Sequence, residues 1–333
     1  MEVWLHTFAR PRQTAETARR AERAGYTGML VADSQNLTAE VWVELAFAAA
    51  ATGRLKLGPG VTNPATRDVS VTASAAATLQ EESGGRAVLG FARGDSALRQ
   101  IGREPVGTRE FETALERLVA YLDGGPARLD GGATAEIDWI EGSGRPPVPV
   151  HVAASGARTI AAGARHARAV DFTVGAETDR LRWAVETARA VDREEPPSLG
   201  AFVNVAVDAD RARARDLVRG STSTLARFAA EGGSTAGLSA VTQAGIARLA
   251  GDFDESRHGS SRAAAAQELS DEFIDRFAVC GPADEVIERL AGLREIGLDR
   301  VVVVPGSLDA DPKVLAESDE RFAVEVLPTV LAA

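Results

Sequence analysis

One cysteine stands in the 333 residues, Cys280, so the chain forms no internal disulfide and offers no cysteine-rich metal site. Its neighbours Phe277, Ala278, Val279 and Gly281 are apolar or small, the setting of an inert buried thiol rather than of a nucleophile. Lysine occurs only at Lys56 and Lys313. Arginine carries nearly all the positive charge, and a formal net charge of −11 argues against a nucleic-acid partner unless those cations cluster. The four histidines, His6, His151, His166 and His258, are scattered without metal-ligand spacing. No run reaches the roughly 20 uninterrupted apolar residues of a membrane span, and with Met1 leading straight into a strand no signal peptide is expected. A cytoplasmic protein with no membrane partner is expected.

What is present is a regular beat of short apolar strands and helices. Strands are expected over 3–6, 28–33, 55–57, 87–91, 148–154, 169–174, 199–207 and 300–304. Helices are expected over 12–24, from a cap at Thr38 to Gly53, and over 68–82, 108–122, 158–167, 179–193, 210–231 and 283–296. Parallel neighbours need a crossover helix, and eight strand–helix units predict an α/β fold, a (β/α)8 TIM barrel, for which about 250 residues are usual. One domain over 1–333 is expected, interrupted by a largely helical insertion at about 232–275. The alternative is a doubly wound open sheet split near residue 140. No Gly-x-Gly-x-x-Gly follows the first strand, which removes that fold's usual dinucleotide signature.

In a barrel of this kind the carboxyl ends of the strands gather the loops that make a site. Those ends carry His6, Asp33, Ser34 and Gln35, Thr62 and Asn63, Arg93 to Ser96, Ser155 and Gly156, Gly175 and Pro305 to Ser307. The set contains no pair of carboxylates, no Cys–His or Ser–His constellation of recognisable spacing and no metal cluster. A polar, glycine-rich rim without a nucleophile suits an enzyme whose reactivity comes from a bound cofactor. Ser155 and Gly156 open a helix, where they either supply an ordinary cap or hold a phosphate on backbone N–H groups; the residues leave both open. His6 reads as a hydrogen-bonded structural side chain or a general acid, Asp33 and Ser34 as helix caps or site residues. Asn204, polar within a strand, needs an amide partner or faces the lumen.

The stretch Leu57 to Arg67 ends a strand with two glycines and two prolines, which shapes a surface for a flat ligand. Gly60-Val61-Thr62-Asn63-Pro64 with Thr66-Arg67, then Thr72-Ala73-Ser74-Ala75, Ser83-Gly84-Gly85-Arg86 and Gly90-Phe91-Ala92-Arg93-Gly94-Asp95-Ser96-Ala97, resemble the luciferase-like monooxygenase superfamily of flavin- and deazaflavin-dependent oxidoreductases. Within it they look most like methylenetetrahydromethanopterin reductase-like proteins. The resemblance implies the barrel with an insertion, a homodimer, and a non-proline cis peptide at Gly60–Val61. It implies coenzyme F420 as cofactor, with FMN the alternative, and hydride transfer at C5 of the deazaflavin to or from a small-molecule substrate. An FMN-dependent monooxygenase would need oxygen and a separate flavin reductase; a non-catalytic flavin-binding barrel is the third reading. The cofactor-binding residues it implies are Asp33, Gly60, Val61, Thr62, Asn63, Arg93, Ser155, Gly156, Gly175 and Ala176, and the catalytic candidates are His6, Asp33 and Ser34. The superfamily's deazaflavin-dependent sugar-phosphate dehydrogenases have a histidine after the aspartate, where this chain has Ser34.

Overall fold

Nine parallel strands form the central sheet: β1 (Glu2–Phe8), β2 (Gly28–Ala32), β3 (Lys56–Pro59), β4 (Leu89–Phe91), β5 (Val150–Ala154), β6 (Ala169–Phe172), β7 (Ser198–Val207), β8 (Val279–Gly281) and β9 (Arg300–Pro305). Eight of them run in the order β3-β2-β1-β9-β7-β6-β5-β4, and bridges from Leu57 to Ala87 and from Thr62 to Phe91 join the two ends into a barrel. The computed structural model describes residues 1–249 and 257–332. At the β3–β4 seam a Cβ on Gly58 would lie 2.0 Å from the carbonyl oxygen of Val88, and one on Gly90 2.2 Å from that of Pro59. Glycine at both positions lets the strands approach closely enough for the cylinder to shut.

Helices α1 (Thr14–Ala24), α2 (Val41–Ala51), α3 (Val69–Glu82), α4 (Asp95–Arg99), α5 (Thr108–Leu122), α6 (Ala157–His166), α7 (Thr178–Arg189) and α8 (Arg211–Glu231) follow the strands. Asp68 caps α3 through Ser70 N, and Asp210 caps α8 through Ala212 N. The expected cap of α2 is displaced: Thr38 turns its hydroxyl to the Ser34 carbonyl, and the side chain of Glu40 accepts from Val43 N at 2.9 Å. The segment after α5 holds a two-residue hairpin (Ala127–Arg128 with Thr134–Ala135) and a 3-10 turn (Asp138–Gly142).

Helices α9 (Ala240–Leu249), α10 (Ala264–Gln267) and α11 (Asp271–Phe277) occupy the segment expected to be an insertion, of which 250–256 lie outside the described residues. The short strand β8 was not foreseen; it lies parallel to the end of β7, Val279 opposite Val205. After α12 (Ala283–Glu295) and β9 the chain adds α13 (Pro312–Arg321), a π-helical turn (Phe322–Val326) and α14 (Leu327–Ala332), which pack back toward α1 through Tyr26 stacked on Phe322.

Two apolar cores result. One lies between barrel and helices (Val3, Met29, Leu57, Leu89, Val203), the other runs inside the barrel to α8 (Trp4, Leu30, Val88, Phe202, Val218). Each fully buried Leu, Val, Met or Phe contributes about 1.5–3 kcal/mol, so this double lining is what fixes the rim. At the amino-terminal end the lumen is filled by Trp4, His151, Asp171 and Arg300, all buried. Among the described residues no helix is long and apolar enough to cross a membrane.

Candidate active site

A cavity of about 510 Å³ opens at the carboxyl ends of the strands. Phe8, Asp33, Gly60, Val61, Arg93 and Ser155 reach it from the barrel. Its outer wall is α8, which contributes Ser221, Thr224, Leu225, Phe228 and Glu231, and the segment around His258 and Gly259 closes over it. Gly259 N donates to Thr224 Oγ1 at 3.1 Å, and Asp309 accepts from Ser260 Oγ and Ser261 N at 2.6 and 2.7 Å, so that cover is tied to both α8 and the loop after β9.

The floor of the cavity is built around His6. Its Nε2 lies 2.9 Å from the Gly60 carbonyl, and Phe8 and Phe202 stand edge-on to the ring. Burial lowers its pKa to about 4, which makes it a neutral imidazole that donates from Nε2 to Gly60; Nδ1 is buried without a partner among the described residues. The Gly60–Val61 peptide is cis, where the resemblance implies it. Asp33, 3 % exposed, is held in an ion pair: Arg67 Nη1 is 2.6 Å from its Oδ2 and Arg67 Nη2 is 2.5 Å from Glu40. Arg67, expected to face a ligand, therefore serves as the counter-ion of the cavity's first carboxylate.

At the opposite side the β5–α6 turn is built of small residues. A Cβ on Gly156 would lie 2.9 Å from the Gly232 carbonyl oxygen, and one on Gly232 2.5 Å from that of Ser155, so the end of α8 rests directly on the start of α6. No side chain caps α6, and Ser155, Gly156, Arg158 and Ser234 line the cavity there. Behind the turn sits Arg180, fully buried, donating to the carbonyls of Ala236 (2.9 Å) and Ser155 (3.4 Å) and stacked 3.8 Å over Trp183. Burial lowers its pKa to about 10; it remains a cation, and among the described residues no carboxylate forms an ion pair with it. Open N–H groups of a ten-residue helix and an unneutralised buried cation together make an end suited to an anion.

Contrary to the sequence reading, the cavity does hold a pair of carboxyl groups. Asp95, at the start of α4, and Glu231, at the end of α8, both line the cavity, and each perturbs the other's titration. Glu231 Oε1 also takes Arg99 Nη2 and Arg227 Nη2, each at 3.2 Å. Burial, then the bond to Glu231 and its repulsion, raise Asp95 to about 7. For Glu231 burial works the other way, but the bond from Asp95 and the two guanidiniums outweigh it and hold its pKa low. Ser96 Oγ stands 3.5 Å from His258 Nδ1, and on the outer surface His166 Nε2 lies 3.3 Å from both Glu112 and Glu116, a group able to hold a metal ion.

Of the residues expected in the site, His6, Asp33, Ser34, Gly60, Val61, Arg93, Ser155 and Gly156 line the cavity. Thr62, Asn63, Gly175 and Ala176 do not. Thr62 and Asn63 turn inward, and Asn63 Oδ1 accepts from Ala65 N and Thr66 N at 3.0 Å. Gly175 lies under the Phe277 ring, and Ala176 N donates to the Phe277 carbonyl. Asn204 is fully buried, with neither amide atom partnered among the described residues, and stays outside the cavity. Cys280 is buried and its thiol is pushed up to about 11, as befits an inert residue. The sequence reading missed Glu231, the Ser221–Thr224 hydroxyls, Phe228 and His258.

Residues 2–300 match the model of the luciferase-like monooxygenase family. The chain is 30% identical over 306 residues to the 5,10-methylenetetrahydromethanopterin reductase of Archaeoglobus fulgidus, covering 85% of this chain and 86% of the relative. Among solved structures it is similar to the coenzyme F420 dependent tetrahydromethanopterin reductase from Methanopyrus kandleri, with TM-score 0.73, 23% identity and 98% of each chain covered. An F420-dependent secondary alcohol dehydrogenase in complex with an F420-acetone adduct superposes with TM-score 0.73 at 17% identity, over 99% of this chain and 98% of that one.

Proposed function

The chain belongs to the luciferase-like monooxygenase family, and from that premise we propose that it is a coenzyme F420-dependent oxidoreductase acting on a small organic molecule. When bound, the deazaflavin supplies or accepts a hydride at C5. The observation that carries the reading is the unequal build of the cavity. One end has open backbone N–H groups over the buried Arg180, the other a flat apolar lining of Val61, Phe8 and Phe202. The first suits a phosphate, the second a planar ring. The Gly156–Gly232 approach leaves backbone rather than side chains at the anion end, and His6 Nδ1 is a buried acceptor without a partner among the described residues, beside the apolar end. Both fit a ring that carries a phosphate-bearing tail.

In this reading Ser155, Gly156 and Arg158 hold the tail, and the Gly60–Val61 backbone braces the ring. Phe202, Leu225 and Phe228 keep water from the reacting face. Positioning a hydride donor and acceptor supplies much of the rate without an acid or base. Absorbance titration of the purified chain with coenzyme F420 and with FMN tests it. Binding of coenzyme F420 is the expected result. Tight FMN binding with oxygen-dependent turnover would replace it with a monooxygenase served by a separate flavin reductase, and no affinity for either ring with a non-catalytic barrel.

The working unit in this proposal is a homodimer. On α2 the outward face is Val43, Ala46, Phe47 and Ala50, with Val43 54% and Phe47 60% exposed, and Val71 of α3 lies 56% exposed. That is a helical apolar stripe directed at solvent, the arrangement that a second copy of the same helix covers.

A further inference from the structure

The carboxyl pair at Asp95 and Glu231 is not explained by helix capping or by surface charge. It joins two elements, α4 and α8, on the wall of the cavity. The cations around it are unevenly shared. Arg99 and Arg227 both bond to Oε1 of Glu231, while Arg93 spends its Nε on the Val106 carbonyl at 2.6 Å. Asp95 faces Glu231, Arg93 and Arg227, and its Oδ1 is buried with no hydrogen-bond partner among the described residues. A second ionised carboxylate at that spot would be desolvated and face a like charge, a combination a proton removes. The neighbouring Ser96–His258 contact ties α4 to the cover.

We propose that Asp95 and Glu231 share one proton on the cavity wall and that Asp95 is the proton donor to a neutral C=O or C=N acceptor. The proposal rests on the hydride-transfer reading above. As the acceptor carbon gains the hydride with its electron pair, the π pair moves to oxygen or nitrogen, and that atom takes the proton from Asp95. The acceptor is reduced by two electrons, the reduced deazaflavin that gives up the hydride is oxidised, and Asp95 recovers its proton from water. Glu231, kept ionised by Arg99 and Arg227, holds the proton on its neighbour and is a positioning residue. The substrate class that follows is a carbonyl or imine compound rather than a preformed cation, which would need no proton. Acid–base help of this kind contributes about 10²–10⁴ in rate.

Infrared difference titration of the ligand-free chain tests the stored proton directly. Burial also raises Asp319, on α13, to about 6, so its band is removed first by running the titration in an Asp319→Asn background. The expected result there is a protonated carboxyl band that titrates between about pH 6 and 8, vanishes on adding Asp95→Asn and moves to lower pH on adding Glu231→Gln, where the repelling charge is gone. In that background a band that survives Asp95→Asn, or no band in that range, overturns the proposal. Equilibrium dialysis with coenzyme F420 separates this from the parent reading. Unchanged affinity in Asp95→Asn is expected, and failure of the unaltered chain to bind would sink the cofactor assignment while leaving the infrared result intact. With acetone as the probe acceptor, Asp95→Asn turning over as fast as the parent chain would also overturn the donor role.

Discussion

Arg300 places Nε 3.0 Å and Nη2 2.7 Å from the same carboxylate oxygen of Asp171, inside the barrel and across from the cavity. His151 Nδ1 lies 3.4 Å from the other oxygen. Burial favours the neutral acid, but Arg300 and His151 outweigh it and pull Asp171 down to about 2. An Asp whose pKa falls on folding stabilises the protein above its unfolded value of about 4 and loses that contribution as pH falls toward 2. Urea unfolding at several pH values should show a loss of stability over that interval that is reduced in Asp171→Asn. Arg300→Leu, which strands a buried carboxylate, should cost about 3–5 kcal/mol at neutral pH.

His6 gives a second titration with the same direction. Its folded pKa of about 4 lies below the ordinary imidazole value, because burial outweighs the bond to Gly60. The unfolded chain takes up a proton first as the pH drops, so stability is lost from about pH 6.5 downward. Imidazole NMR signals of His6 should stay in the neutral form, with the proton on Nε2, throughout the range from about pH 5.5 to 8. Titration within that range would contradict the neutral donor described here.

Gly156→Asp should severely weaken binding at the anion end. The new Cβ meets the Gly232 carbonyl oxygen at 2.9 Å, and the new charge opposes a phosphate at the open end of α6. Affinity for coenzyme F420 or FMN, measured by fluorescence titration, should fall about 100-fold, roughly 2.7 kcal/mol. Unchanged affinity would move the anion elsewhere.

Phe47→Lys should convert a dimer into a monomer with the fold intact, since Phe47 is 60% exposed and lies outside the buried core. Sedimentation velocity of the two proteins reads the outcome. A monomeric parent chain would remove the proposed interface.

How far the residues spoke for themselves follows the distance over which their signal acts. Strands such as 150–154 and 300–305 are apolar runs bounded by Gly and Pro, and glycines mark helix ends such as Gly25. These local patterns carried the barrel. Strand β8 escaped because three residues continuing straight from α11 show no period at all. The polar residues Thr62 and Asn63 pointed to a ligand, yet the turn itself claims Asn63's oxygen. Arg86 shows the same effect: it donates to the carbonyls of Ala49, Thr52 and Leu55 and so ends α2, a task that its place in a family motif does not reveal. Asp95 and Glu231 are each unremarkable in sequence. Only the packing of α8 over the rim makes them a pair.

The plug of Trp4, His151, Asp171 and Arg300 gives the barrel a blind end, so that among the described residues traffic passes at the opposite rim. Whatever lodges deepest has to arrive first and depart last. Under the proposed hydride-transfer reading, a cofactor seated beneath its substrate would leave only after the product, which would make the sequence of exchange a property of the architecture rather than of relative affinities.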